Sequence, residues 1–271
     1  MSYFLTSDNV KMYYGEKGTG KPVVLIHGWS CSHLHFEKQI EELSKKFKVV
    51  YYDLRGHGLS EVPDYGLTLP RFAQDLKELI DHLNLKDVTL VGWSMGTSII
   101  FDYVSQFGCN NIYKLCLIDM SPKLITDDNW KYGLYGKYSY EDNLNLLVEL
   151  NADWNKFAGA FIPAIFAKSG CKDEKILNWA YEQAYKNSPD VMVRMWVSMS
   201  AKNYLSVLKD ITVPTLITYG AESCLYPAEN SEYLHKNIVK SKLVPFPKCG
   251  HYLFGEKPDM FNEELTKFIN E

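Results

Sequence analysis

The sequence predicts an α/β protein: a mostly parallel sheet of about eight strands, covered by helices and carrying a helical cap insertion. Three observations point there. Short β-type runs alternate with amphipathic stretches along most of the chain. Several runs, such as "PVVLIHG" and "VTLVG", are near-continuously apolar, as strands buried on both faces are. The rhythm breaks once, over residues 123–205, where the sequence becomes helical and aromatic, and then resumes.

Each element has its own signal. "YFLT" and "VKMYYGE" read as an N-terminal hairpin, and "PVVLIHG" as the first buried strand. "SHLHFEKQIEELSKKF" has helical spacing that turns Leu34, Ile40, Leu43 and Phe47 inward. "KVVYYD" is a strand. In "LTLPRFAQDLKELIDHL", Thr68 can cap a helix, Pro70 suits its first turn, and Phe72, Leu76, Leu79, Ile80 and Leu83 form one apolar stripe. Strand "VTLVG", helix "GTSIIFDYVSQF" and strand "YKLCLIDM" follow. Beyond residue 205 come strand "VPTLITYG", a helix near residues 228–238, strand "SKLVPF" and a closing helix "PDMFNEELTKFI". Residues 1–122 and 206–271 therefore read as one α/β core, and 123–205 as a helical cap.

Composition narrows the function classes. The chain has 271 residues, 46% hydrophobic and 23% charged, with a net charge of −4. That balance offers no electrostatic footprint for nucleic acid or an acidic membrane. No apolar stretch approaches the roughly 20 residues that span a bilayer, and the N-terminus lacks the basic-then-apolar pattern of a signal peptide. The six cysteines form no CxxC pair and no ligand-like spacing with histidine. They read as reduced thiols in a cytoplasmic protein, with no metal and no cofactor expected.

The chemistry centres on "LVGWSMGTS". Ser94 stands between Gly92 and Gly96, at the carboxyl end of a strand and the start of a helix. Sites form at such strand ends in parallel sheets, and the two glycines let strand and helix close round a strained turn. The helix start leaves the Met95 N–H free to hold an oxyanion. A serine hydroxyl needs a base, and seven histidines are available. His82 and His235 lie within helices, His33 and His35 open one, and His27 and His57 sit in glycine-bounded turns. His251 follows the last strand, again at the carboxyl edge and after the serine in chain order, which makes it the candidate base.

"VLIHGW", "YYDLRGHGLS", "LVGWSMG", "LITYG…P" and "CGHYLFGEKPDMF" occur in that order. With them the chain resembles the α/β-hydrolase fold superfamily, in its esterase, non-haem chloroperoxidase (perhydrolase) and C–C hydrolase branch. The resemblance covers residues 1–122 and 206–271. It implies that the Trp29 backbone N–H is the second oxyanion donor and that His27 holds the turn. It also implies that Asp53, Arg55 and His57 hydrogen-bond within their loop. Family members place the acid of the Ser-acid-His order three residues after the glycine that ends the penultimate strand. Here that position, after Gly220, is Ser223, which cannot carry the charge. Asp119, at the end of the preceding strand, is the preferred replacement, and Glu222 is the alternative acid. A Ser–His dyad helped by Ser223 and water is the third possibility.

The aromatics of the insertion, from Trp130 to Tyr204, and its single arginine, Arg194, imply a hydrophobic or aromatic substrate group with no bound polyanion. The expected activity is a cofactor-free serine esterase acting on a small hydrophobic ester. Perhydrolysis, lactone hydrolysis and C–C bond hydrolysis are the rival reactions. A small-molecule receptor on the same fold is the rival from another class.

Overall fold

The computed structural model describes residues 2–271. Strands β1 (Ser2–Leu5) and β2 (Lys11–Lys17) form the antiparallel hairpin, and β2 also pairs antiparallel with β4 (Lys48–Tyr52). From β4 onward every pairing is parallel: β3 (Pro22–Ile26), β5 (Val88–Trp93), β6 (Ile112–Ile118), β7 (Thr215–Gly220) and β8 (Ser241–Phe246). The spatial order is β1-β2-β4-β3-β5-β6-β7-β8, eight strands in one sheet. All six residues of β5 are buried, as expected of a central strand covered on both faces.

Helix α1 (Glu37–Leu43) follows β3 but is shorter than its hydrophobic spacing suggested. Residues His33–Phe36 form a 3-10 turn instead. Its tighter winding, about three residues per turn, rotates the inward face by a residue. Leu34 is therefore 40% exposed, while Phe36 is fully buried against Phe254. Ile40, Leu43 and Phe47 do face the core. In α2 (Leu69–His82) the stripe Phe72, Leu76, Leu79 and Ile80 is completely buried, and Leu83 just beyond the helix is half-buried. Thr68 occupies the cap position without a side-chain bond, and Ser198 Oγ accepts the Leu69 N–H at 2.9 Å instead. Helix α3 (Met95–Phe107) runs from β5 to β6 and is buried from Met95 through Val104.

Between β6 and β7 lie α4 (Tyr140–Ala152), α5 (Trp154–Ala164), α6 (Glu174–Tyr185) and α7 (Pro189–Ser200). Capping side chains start three of them: Ser139 accepts from the Asp142 N–H, Asp153 from Lys156, and Asp173 from Lys175. The segment leaves and rejoins the core at one point, where Lys123 bridges Asn203 and the Tyr204 N–H donates to Pro122 O at 2.9 Å. Helices α8 (Ala228–Asn237), α9 (Leu253–Glu256) and α10 (Pro258–Asn270) complete the chain. All six cysteines are free thiols, and among the described residues no helix is long and apolar enough to cross a membrane.

Candidate active site

Ser94 sits at the corner between β5 and α3 with φ 55° and ψ −122°, a conformation that L-residues rarely adopt. Sterics explain the flanking glycines. A Cβ on Gly96 would stand 2.2 Å from Ile26 O, and one on Gly92 would stand 2.6 Å from the Gly96 backbone. The same closeness brings the loop after β3 against the corner: a Cβ on Gly28 would lie 3.1 Å from Ser94 Cβ. Trp29 follows Gly28 and Met95 follows Ser94 at this corner, and neither backbone N–H has a protein acceptor among the described residues. Such free donors beside a developing negative charge can stabilise it.

His251 and Asp119 converge from the loops after β8 and β6. His251 Nδ1 and Asp119 Oδ2 lie 2.7 Å apart, with both side chains buried. Asp119 is itself strained, at φ 43°, and is held by its N–H bond to Thr218 O at 2.9 Å. Ser223, the residue at the usual acid position, donates its hydroxyl to the same Asp119 Oδ2 at 2.8 Å. The Leu225 and Tyr226 N–H groups in turn approach Ser223 Oγ at 3.3 and 3.4 Å. The serine therefore braces a carboxylate that reaches in from the neighbouring strand.

Glu222, the alternative acid, points elsewhere. Its carboxylate accepts the Ser169 N–H at 3.3 Å, and its backbone O accepts the Lys168 N–H at 3.1 Å. Glu222 lies inside the turn that the Ser223 N–H closes on Gly220 O at 3.0 Å, and its carboxylate reaches the inserted segment and not His251. Glu222 ties the loop between α5 and α6 to the core.

The other motif residues are structural neighbours of the site. His27 Nδ1 bonds Gly28 O at 2.8 Å, and its Nε2 accepts the Leu54 N–H at 3.0 Å, which pins the loop that carries Trp29. His57 Nε2 accepts the Ser30 N–H at 3.2 Å. Asp53 takes the His33 and Leu59 N–H groups at 2.7 and 2.8 Å. Arg55 departs from the within-loop expectation, pairing with Asp75 on α2 and Asp8 in the hairpin. Its buried guanidinium needs charge compensation, and acids of its own loop are committed elsewhere, Asp53 to the His33 and Leu59 N–H groups and Glu61 to that of Lys11. His82 and His235 are exposed.

Burial holds three of these histidines neutral. His27 is pushed down to about 3 by desolvation and then by neighbouring His57, while desolvation pushes His57 and His35 each to about 4. The unfolded chain therefore binds more protons below its histidine value of 6.5, so stability is full above that pH and is lost as pH falls toward 4. At about pH 5 the loss is on the order of 2 kcal/mol for each histidine. Thermal melts are expected to show Tm falling by on the order of 10 °C between about pH 7 and 5. A flat Tm across that window would show that these rings are not held neutral.

Two residues of the site carried no sequence signal. Trp93, one position before the serine, donates its indole N–H to His251 O at 2.9 Å and so fixes the histidine loop to the corner. Tyr226 packs its ring 5.7 Å from that of His251 and donates to Met120 Sδ. Burial, and then the Asp119 charge, keep its phenol protonated. It stands immediately before Pro227, inside the "LITYG…P" stretch.

Ser94, His251, Trp29, Trp93 and Tyr226 line one cavity with Leu134, Phe161, Ile162, Ile165, Trp196 and Met199 from the inserted segment. The cavity is apolar and about 20 Å³, room for the centre of about one water. The family model described as alpha/beta hydrolase fold matches residues 21–258. The chain belongs to the α/β-hydrolase family. Its similarity to known members is spread over its whole length. An esterase from Exiguobacterium antarcticum superposes with a TM-score of 0.93 at 29% identity, covering 100% of this chain and 99% of that one. A bromoperoxidase from Bacillus anthracis gives 0.91 at 28% identity, with both chains fully covered. The bifunctional esterase/perhydrolase of Acinetobacter calcoaceticus is 27% identical over 99% of both chains. In its coarse activity class this α/β-hydrolase chain is a hydrolase.

Proposed function

We propose that this chain is a serine esterase that cleaves a small hydrophobic carboxylic ester through an acyl-enzyme. The observation that carries the reading is the His251–Asp119 hydrogen bond of 2.7 Å beside the apolar cavity that Ser94 also lines. In this reading His251 Nε2 takes the Ser94 proton as Oγ attacks the ester carbonyl. The carbonyl oxygen becomes an anion and is held by the Trp29 and Met95 N–H groups, each such donor contributing about 10²–10³ in rate. Asp119 accepts the Nδ1 proton of His251, fixes its tautomer and balances the imidazolium charge. His251 then returns the proton to the departing alcohol, and a water activated by the same ring releases the acid. The helices α4–α7 act as a cap whose apolar side faces the ester and excludes bulk water, which strengthens every polar interaction inside.

Likeness to a protein named esterase/perhydrolase supports a second reading, in which hydrogen peroxide takes the place of water at the acyl-enzyme and yields a peracid. Both readings share the first half-reaction. The test is labelling with a small fluorophosphonate, peptide mapping, and turnover of p-nitrophenyl acetate with and without peroxide. The expected result is a single label on Ser94 with multiple turnovers. A stoichiometric burst without turnover would favour a receptor, and an unlabelled, inactive chain would remove the esterase reading.

A further inference from the structure

Two cavities of very different size meet at one side chain. The chamber at Ser94 leaves about 20 Å³ for the centre of a water, room for a short acyl group only, whereas an open groove of about 780 Å³ by the same measure runs between α4 and α5. Phe161 lines both, and among the described residues no other side chain does. Its ring stands edge-on to Trp29 at 5.6 Å and stacks on Phe157 in the groove at 5.7 Å.

The remaining chamber walls are fixed. Trp29, Trp196, Met199, Leu134, Ile162 and Leu225 are each at least 95% buried in the continuous core, so displacing them would disrupt packing across the molecule. Phe161 is only partly buried, and the helix beneath it is weakened. Pro163 lies inside α5 and has no N–H to give to Gly159 O, four residues earlier. Tyr181 Oη supplies a substitute at 3.3 Å. The next turn closes with i→i+3 bonds, Ile165 N to Ile162 O and Phe166 N to Pro163 O, both 3.3 Å. The turn that carries Phe161 therefore lies between a glycine and a proline and has few bonds to break on moving.

We propose that Phe161 partitions the substrate, so that the enzyme selects esters with a short acyl group and a long apolar alcohol. The inference rests on the esterase reading and adds the substrate class. The acyl group stays on Ser94 in the small chamber. The alcohol passes Phe161 into the groove, whose apolar surface includes Leu146, Phe157, Ala160 and Ala164, with Lys137, Lys156 and acidic side chains around it. Departure of the alcohol then clears the route by which water reaches the acyl-enzyme. A long acyl chain lodged in the groove would block that route for as long as the acyl-enzyme lived.

The test compares ethyl acetate, octyl acetate and ethyl octanoate as substrates of the wild type, Phe161→Ala, Phe161→Trp and Ala160→Glu. Ala160 is exposed on α5, so its glutamate variant keeps the fold while placing a charge in the groove. In the wild type kcat/KM for octyl acetate is expected to exceed that for ethyl acetate by about tenfold or more, with ethyl octanoate the poorest substrate. Phe161→Trp and Ala160→Glu should each lower the octyl-to-ethyl acetate ratio by about tenfold. Phe161→Ala, which merges chamber and groove, should raise kcat/KM for ethyl octanoate by at least about tenfold. Fluorophosphonate labelling of Ser94 in all four proteins separates the two levels. Full labelling with ratios that do not move, or a wild type that prefers ethyl octanoate, overturns the partition alone. Absence of both labelling and turnover overturns the esterase reading itself.

Discussion

Replacing Ser94 by alanine is expected to lower kcat on p-nitrophenyl acetate by about 10⁵–10⁶-fold, with KM changed by less than about threefold. In the proposed mechanism the large factor follows from losing the atom that forms the acyl-enzyme. What would survive in that mechanism is the oxyanion stabilisation proposed for the Trp29 and Met95 N–H groups, which does not depend on the hydroxyl. The same position makes a stability prediction of opposite sign. At φ 55° and ψ −122° a side chain is held against its preference, at a cost on the order of 1–3 kcal/mol. Ser94→Gly should therefore be as inactive as Ser94→Ala yet unfold later, by about 2–4 °C once the greater entropy of glycine in the unfolded chain is subtracted. Kinetics and thermal melts on the two variants check both halves. An Ser94→Ala enzyme with a tenth of wild-type kcat would exclude Ser94 as nucleophile.

The second large effect belongs to Asp119. Asp119→Asn is expected to cost about 10⁴ in kcat, since an amide at this position holds His251 in the wrong tautomer and gives no charge to balance the imidazolium. Asparagine is the suitable replacement because it tolerates the left-handed conformation that Asp119 adopts, so the loss reads chemistry and not folding. Glu222→Gln should change kcat by less than about threefold, because its carboxylate serves the Ser169 N–H. A rescue sharpens the test. Ser223 Oγ stands 2.8 Å from the Asp119 oxygen that meets His251. A carboxylate at residue 223 therefore starts one hydrogen bond away from the imidazole. Adding Ser223→Asp to Asp119→Asn should recover at least about tenfold in kcat, while Ser223→Asp alone should lose activity by crowding two carboxylates. Loss of orders of magnitude in Glu222→Gln, with Asp119→Asn near wild type, would reverse the assignment.

The legible parts of the sequence were those set by local patterns. β5 shows as an apolar run because both of its faces are covered, and α2 shows as a stripe because only one is. The corner at Ser94 was legible because its strain demands glycines at two fixed positions, and sterics leave no alternative to them. Less legible was the turn at His33–Phe36, where residue spacing fits an α-helix and a 3-10 turn almost equally well. A shift of one position then exposes Leu34 and buries Phe36. Arg55 was misplaced for a related reason: its partners Asp8 and Asp75 lie far away in sequence and are brought near only by the hairpin and α2.

By itself, the sequence determined the strand order of the chemistry: a serine at a glycine-bounded corner, a histidine after the last strand, and a carboxylate required between them. Which carboxylate meets the histidine was decided only by the tertiary structure. Asp119, Ser223 and His251 lie 104 and 132 residues apart in their two hydrogen bonds, and no local pattern encodes a meeting over such distances. Parallel β6, β7 and β8 stack their carboxyl ends side by side, and that register delivers the three side chains to one point. The size of the chamber and the position of Phe161 arise in the same way. They depend on how α5 packs against the loop after β3, a contact between segments whose separate sequences say only that each is apolar.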